Sequence, residues 1–186
     1  TNVVTDDELE IPLEAQSLSI FGANFLTQRW EHQRLIAHEL AHQWFGNAVT
    51  LAAWRDIWLH EGFACYSEWL WSEQAGHAPT AHRAAHFHSA LSAKPQDLLL
   101  ADPGPDLMFD DRVYKRGALA LFALHSAVGD DAFFGLLQAW LDRYRGRNAT
   151  TADFLALATA ESGVDVSALL DPWLNQLRLP PLPSSN

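Results

Sequence analysis

The chain has 186 residues, enough for one domain that buries roughly two-thirds of the surface its unfolded form exposes. A hydrophobic content of 48% against 19% charged residues excludes a disordered chain, and no apolar run approaches the ~20 residues that a transmembrane helix requires. The formal net charge of -11, with only 12 Lys and Arg spread along the chain, argues against nucleic acid as a partner and mildly favours cationic substrates.

In residues 1–25, Leu9, Ile11 and Leu13 alternate with polar residues or proline, and Leu18, Ile20 and Phe21 follow, which predicts short strands. Pro12 confines the first of these to an edge or an irregular segment. From about Glu31 helical spacing takes over: Ile36, Leu40 and Trp44 recur every four residues until Gly46-Asn47 supplies a stop. A second helix is expected from near His60 to Gly76, and a third after Pro79, a residue favoured at the first helical position. Residues 94–111, with Pro95, Pro103, Gly104 and Pro105, read as a long loop, and loops of that length are often functional.

Four more helices are punctuated by their ends. Asp110-Asp111 precede the run Arg112 to Val128, Gly129 closes it, and Asp130-Asp131 are expected to cap the next helix, with Phe134, Leu137, Leu141 and Tyr144 facing a core. Thr150 with Asp153 has the form of a capping box, and Asp165 opens a last helix toward Trp173 and Leu177. The expected organisation is one domain over residues 1–178, with a strand-rich entry (1–28) and a helical body (29–178), followed by a Pro/Ser-rich linker (179–186). The chain starts at Thr1 rather than at methionine, so an excerpt of a larger multidomain protein is expected. Cys65, the single cysteine, cannot form an internal disulfide, and the compartment stays open with a slight preference for the cytoplasm.

The chemistry is concentrated in His38-Glu39-Leu40-Ala41-His42. Helix positions four apart share a face, so His38 and His42 can direct imidazole nitrogens at one ion, for which Zn2+ is the natural guest. Glu39 sits next round the helix and can reach a metal-activated water as general base without ligating the metal. The five-residue pattern alone is equally compatible with histidines that merely face solvent. Catalytic zinc sites take a third protein ligand, and Glu61 is the candidate, because the 18 residues between it and His42 allow an antiparallel return.

The segments His38-Glu39-Leu40-Ala41-His42-Gln43-Trp44-Phe45-Gly46-Asn47 and Trp58-Leu59-His60-Glu61-Gly62-Phe63-Ala64 closely resemble the zinc signature of the aminopeptidase N family of gluzincin metallopeptidases. That family usually has Asn where this chain has His60. The resemblance implies a mainly α (α+β), thermolysin-like catalytic domain with a short N-terminal β region, holding zinc on His38, His42 and Glu61. It further implies a metalloprotease that removes the N-terminal residue of peptides with a free amino group, working beside neighbouring domains of a longer parent.

Two more segments extend the likeness. Tyr114-Lys115-Arg116-Gly117 is similar to the family segment whose tyrosine hydroxyl supports the oxyanion; by itself Tyr114 reads as a half-buried aromatic at a helix start. Pro12-Leu13-Glu14-Ala15-Gln16 resembles the exopeptidase motif, usually Gly-x-Met-Glu-Asn, with Glu14 holding the substrate amine; by itself Glu14 reads as a solvated carboxylate at a strand end. Related gluzincins act as endopeptidases or epoxide hydrolases, and relatives lacking the motif serve as non-catalytic scaffolds, so both remain alternatives. Glu68 is a candidate to orient a ligand histidine, Asp56 is ambiguous, and Cys65 reads as a packing residue.

Overall fold

The computed structural model describes residues 1–183, so Ser184 to Asn186 of the expected linker lie outside the described residues. Two parallel strands, β1 (Asn2–Thr5) and β2 (Ser19–Gly22), open the chain. The alternating Leu9, Ile11, Leu13 segment is not the first strand: only Leu13 forms a bridge, to Ile20, and Ile11 is 74% exposed. Pro12 cannot donate to a ladder, and the Leu9 N–H and carbonyl bond to the Asn24 side chain, so the segment keeps a single bridge on the free edge of β2.

The body is helical: α1 (Trp30–His42), α2 (Trp58–Gln74), α3 (Thr80–Ser92), α4 (Asp111–Val128), α5 (Asp130–Tyr144), α6 (Thr151–Ser162) and α7 (Val166–Leu174). Two strands too short to carry an alternating pattern, β3 (Val49–Leu51) and β4 (Arg147–Ala149), pair in parallel between them. Among the described residues no helix is long and apolar enough to cross a membrane.

Helix ends follow local chemistry at several places. Asp110 accepts from the Arg112 N–H, Asp165 from the Ala168 N–H, and Thr150 with Asp153 forms a reciprocal capping box. The expected Asp130-Asp131 cap is absent: Gly129 holds the cap position, and Asp130 accepts instead from His125 Nε2 at 2.8 Å. The last helix stops at Leu174, leaving Leu177 beyond it and exposed.

Helices α2 and α4 form the spine. They cross where Gly62 meets Gly117; a Cβ on either would stand 2.9 or 2.8 Å from the opposite Cα, so side chains are excluded from the crossing. Trp58, Phe63 and Trp69 from α2 and Leu119, Leu121 and Leu124 from α4 are buried in the one core cluster that surrounds these two helices. Arg116 is buried one residue before the crossing, and its guanidinium donates to the carbonyls of Leu98, Pro172, Trp173, Gln176 and Leu177, which moors α7 and the 94–110 loop to α4.

Two apolar stripes behave differently from their spacing. On α5 the core-facing residues are Phe133, Leu136 and Trp140, whereas Phe134 is 45% exposed and Leu137, Leu141 and Tyr144 are half-buried. Two adjacent stripes have helical spacing there, and the one carrying Trp140 wins by packing edge-to-face on Phe154. Leu40 on α1 and Trp44 in the turn after it are exposed, while His38, Glu39, Ala41 and His42 turn inward against α2. Burying that polar face is tolerable only because its groups find partners.

Candidate metal centre

Helix α1 presents His38 and His42 one turn apart, and α2 returns antiparallel to set Glu61 opposite them. The Glu61 Oε2 atom lies 3.3 Å from His38 Nε2 and 3.4 Å from His42 Nε2. A tetrahedral zinc with bonds of about 2.0–2.1 Å keeps its donors about 3.3–3.4 Å apart, so the three residues fit that ion. This is the one group of metal-capable side chains among the described residues, its donor atoms all within 4.8 Å of one another.

The far sides of both imidazoles are also arranged for a metal. His38 Nδ1 donates to Glu68 Oε1 at 2.8 Å, and His42 Nδ1 donates to the Phe45 carbonyl at 3.0 Å. These bonds fix the tautomer that leaves each Nε2 lone pair facing the other donors. Glu68 is itself buried and held by Arg34 Nη1 at 3.2 Å. Lys115, also buried, adds positive charge beside Glu68 and donates to Cys65 Sγ at 3.4 Å.

Charge sharpens the picture. Burial opposes a proton on His38, but its bonds to Glu61 and Glu68 outweigh this and raise its pKa to about 9. His42 is raised in the same way, burial being overcome by Glu61. Glu61, despite its burial, is pulled down to about 2 by the two histidines. The shifts point one way: all three groups favour positive charge beside the Glu61 carboxylate, where the donors converge.

Glu39 is buried beside this cage, and burial raises it to about 7 against the pull of His38 and His42. A divalent cation among the three donors would draw it back toward the ionised form that a base needs. The Tyr114 ring stacks over His38 at 6.0 Å and 16°, which brings the first turn of α4 to the site. Its hydroxyl stays protonated, because burial and the charges of Glu61, Glu14 and Glu39 all oppose ionisation. Glu14, half-buried on the loop before β2, is thus within electrostatic reach of both Glu39 and Tyr114.

Of the residues singled out from the sequence, His38, Glu39, His42 and Glu61 meet here with Glu68 behind His38, Tyr114 stacks over His38, and Glu14 is within electrostatic range. His60 lies on the same side, near Gly46, and burial keeps its ring neutral with a pKa lowered to about 4. Asp56 is elsewhere, accepting from the Thr151 N–H and hydroxyl at the start of α6. Sequence reasoning passed over Arg34, Lys115 and Arg116. Arg34 lies one turn before His38, and only that spacing could have flagged it.

A mainly helical domain that converges two histidines of one helix and a glutamate of the next on a zinc-sized space is a zinc metallopeptidase domain. Residues 22–173 match the peptidase family M1 domain. Glutamyl aminopeptidase of Bos taurus is 33% identical over 162 residues, 82% of this chain and 17% of that protein. The M1 zinc metallopeptidase of Deinococcus radiodurans superposes with a TM-score of 0.87 at 37% identity, over 98% of this chain and 40% of that one. Leukotriene A4 hydrolase of Saccharomyces cerevisiae shares the fold, with a TM-score of 0.78 at 24% identity over 98% of this chain and 32% of its own. The chain belongs to peptidase family M1. It spans about a fifth or less of the length of the curated relatives it matches.

Proposed function

We propose that this domain is the catalytic centre of a zinc aminopeptidase that removes the N-terminal residue from peptides with a free amino group. The observation that carries the reading is the convergence of His38 Nε2, His42 Nε2 and the Glu61 carboxylate at tetrahedral spacing, with both Nδ1 atoms partnered outward. Relatives named as aminopeptidases support the exopeptidase class.

In this reading His38, His42 and Glu61 hold the metal, which when bound supplies a Lewis acid for the scissile carbonyl and lowers the pKa of water from ~15.7 toward ~7. Glu39 accepts a proton from the attacking water and delivers it to the leaving amine, the two faces of one general acid–base group. Tyr114 donates its hydroxyl proton into a hydrogen bond with the developing oxyanion, and its resistance to ionisation keeps that donor available. Glu14 binds the substrate ammonium as a charge-assisted partner, which orients the first peptide bond toward Glu39. The domain works within a longer chain.

Glu39→Gln removes the base and preserves the size of the side chain. It is expected to retain zinc by metal analysis and to lose turnover of an aminoacyl-anilide by at least ~100-fold. Near-normal turnover by this variant would exclude Glu39 as the base. Cleavage of N-acetylated peptides in preference to free ones would point to an endopeptidase and remove the role of Glu14, and a protein that takes up no zinc would support a scaffold.

A further inference from the structure

The loop that carries Glu14 leaves and re-enters at a pair of backbone bonds between Leu13 and Ile20, 3.0 and 2.8 Å long. Between them the chain turns at Ala15–Leu18, with the Leu18 N–H on the Ala15 carbonyl and Ser17 in the left-handed region at φ 65°. Gln16 and Ser17 are exposed and Leu13 is 51% exposed, so apolar packing does little to hold this loop in place.

Two side chains from the turn that ends α1 reach into it instead. Gln43 Oε1 accepts from the Ser17 N–H at 2.8 Å, while Gln43 Nε2 donates to the Ala15 carbonyl at 3.2 Å and Ser19 Oγ at 3.3 Å, with the Glu14 carbonyl at 3.5 Å. Asn47 Nδ2 donates to the Glu14 carbonyl at 2.5 Å. Both carboxamides thus bind backbone at Glu14 itself or within three residues of it.

The same turn orients a metal-site histidine. His42 Nδ1 donates to the Phe45 carbonyl, and the His42 carbonyl accepts the Asn47 N–H at 2.9 Å. Gly46, at φ 142°, allows this closeness, since a Cβ there would stand 3.3 Å from both His42 Nδ1 and its carbonyl oxygen. Residues 43–47 therefore carry, on one rigid turn, the partner of a metal-site imidazole and the fastenings of the Glu14 loop.

We propose that Gln43 and Asn47 are positioning residues, which set the span between Glu14 and the metal centre and so fix the cut one residue from the amine. This rests on the reading of Glu14 as the amine anchor. Neither residue touches the reacting atoms. Their effect is on where the amine is held, and so on substrate binding more than on the chemical step.

The test uses the zinc-loaded, full-length chain with Gln43→Ala and the nearly isosteric Asn47→Asp, which loses the donor to the Glu14 carbonyl. Expected are an unchanged zinc content, a KM for a free aminoacyl-anilide raised on the order of 10-fold, a smaller change in kcat, and a narrowed preference for free over N-acetylated peptides. Amide hydrogen exchange over residues 14–19 should quicken. A KM within twofold of the parent, with unchanged preference and exchange in both variants, overturns the proposal, as does loss of zinc, which would place the effect at the metal. Glu14→Gln separates the two layers: if it abolishes the preference while the Gln43 and Asn47 variants do not, the anchor stands and the clamp falls. If Glu14→Gln keeps the preference, the anchor fails and the clamp's role falls with it.

Discussion

The crossing of α2 and α4 has a consequence for catalysis that can be worked from distances. Gly117→Ala adds a Cβ at 2.8 Å from the Gly62 Cα, whereas carbon atoms rest at about 3.5–4.0 Å, so the helices must separate by about 1 Å. Overpacking of this kind costs about 1–3 kcal/mol, which lowers the Tm of a domain this size by about 2–12 °C. The shift also acts on function, because Glu61 immediately precedes Gly62 and Tyr114 lies one turn before Gly117. An error of about 1 Å in such groups lowers kcat/KM by up to ~100-fold. Gly62→Ala should behave alike, its Cβ falling 2.9 Å from the Gly117 Cα. Gly135→Ala is the control: it lies within α5 with nothing within 4 Å of the added Cβ, so it should stabilise by about 0.4–1 kcal/mol and leave rates alone. Calorimetry and aminoacyl-anilide kinetics on the three variants decide the matter. Wild-type Tm and rates for Gly117→Ala, or equal losses in all three, would refute the close-approach argument.

Other expectations follow from the partners of the metal site. Glu68→Gln weakens the acceptor on His38 Nδ1 and leaves Arg34 without its carboxylate, and zinc affinity by competition with a chelator should fall about 10–100-fold. Zinc uptake by the metal-free protein should release protons at about pH 7.5, because His38 holds one up to about pH 9 and His42 is raised as well, whereas an imidazole must be neutral to ligate. Raised pKa values mean that the proton competes below them, so apparent affinity should climb with pH until about 9; Glu61, lowered to about 2, adds nothing to this slope. A binding enthalpy independent of the buffer's ionisation enthalpy would contradict it. Thr150→Ala removes the capping box of α6 and should cost about 1 kcal/mol by denaturant unfolding, with kinetics unchanged.

Much of the site was legible in the sequence because its information is local. The spacing of His38 and His42 fixes a shared helix face whatever else the fold does, and the interval to Glu61 suits one antiparallel return. Helix ends at Asp110, Thr150 and Asp165 were legible for the same reason: a side chain capping its own helix depends on nothing distant. Tyr114 and Glu14 were different. Neither has a local pattern that marks it, and only resemblance to a known family pointed to them.

What tertiary structure decided is which of several locally equivalent choices is used. The two apolar stripes of α5 have the same period, and burial of Trp140 against Phe154 chose between them. The Leu9–Leu13 alternation lost its strand because Pro12 cannot donate and the Leu9 backbone is bonded to the Asn24 side chain from beyond β2. On α1 periodicity points Leu40 and Trp44 toward a core, yet the polar face is buried, because Glu61, Glu68 and the Phe45 carbonyl satisfy it from positions far apart in the chain or beyond the helix end. The sequence alone therefore pointed to His38, His42 and Glu61 as candidate metal ligands, through spacing that is local to two helices. The partners that hold those residues in place, Glu68 with Arg34, Gly62 against Gly117, and Gln43 and Asn47 on the Glu14 loop, were decided by long-range packing, where no short-range spacing rule operates.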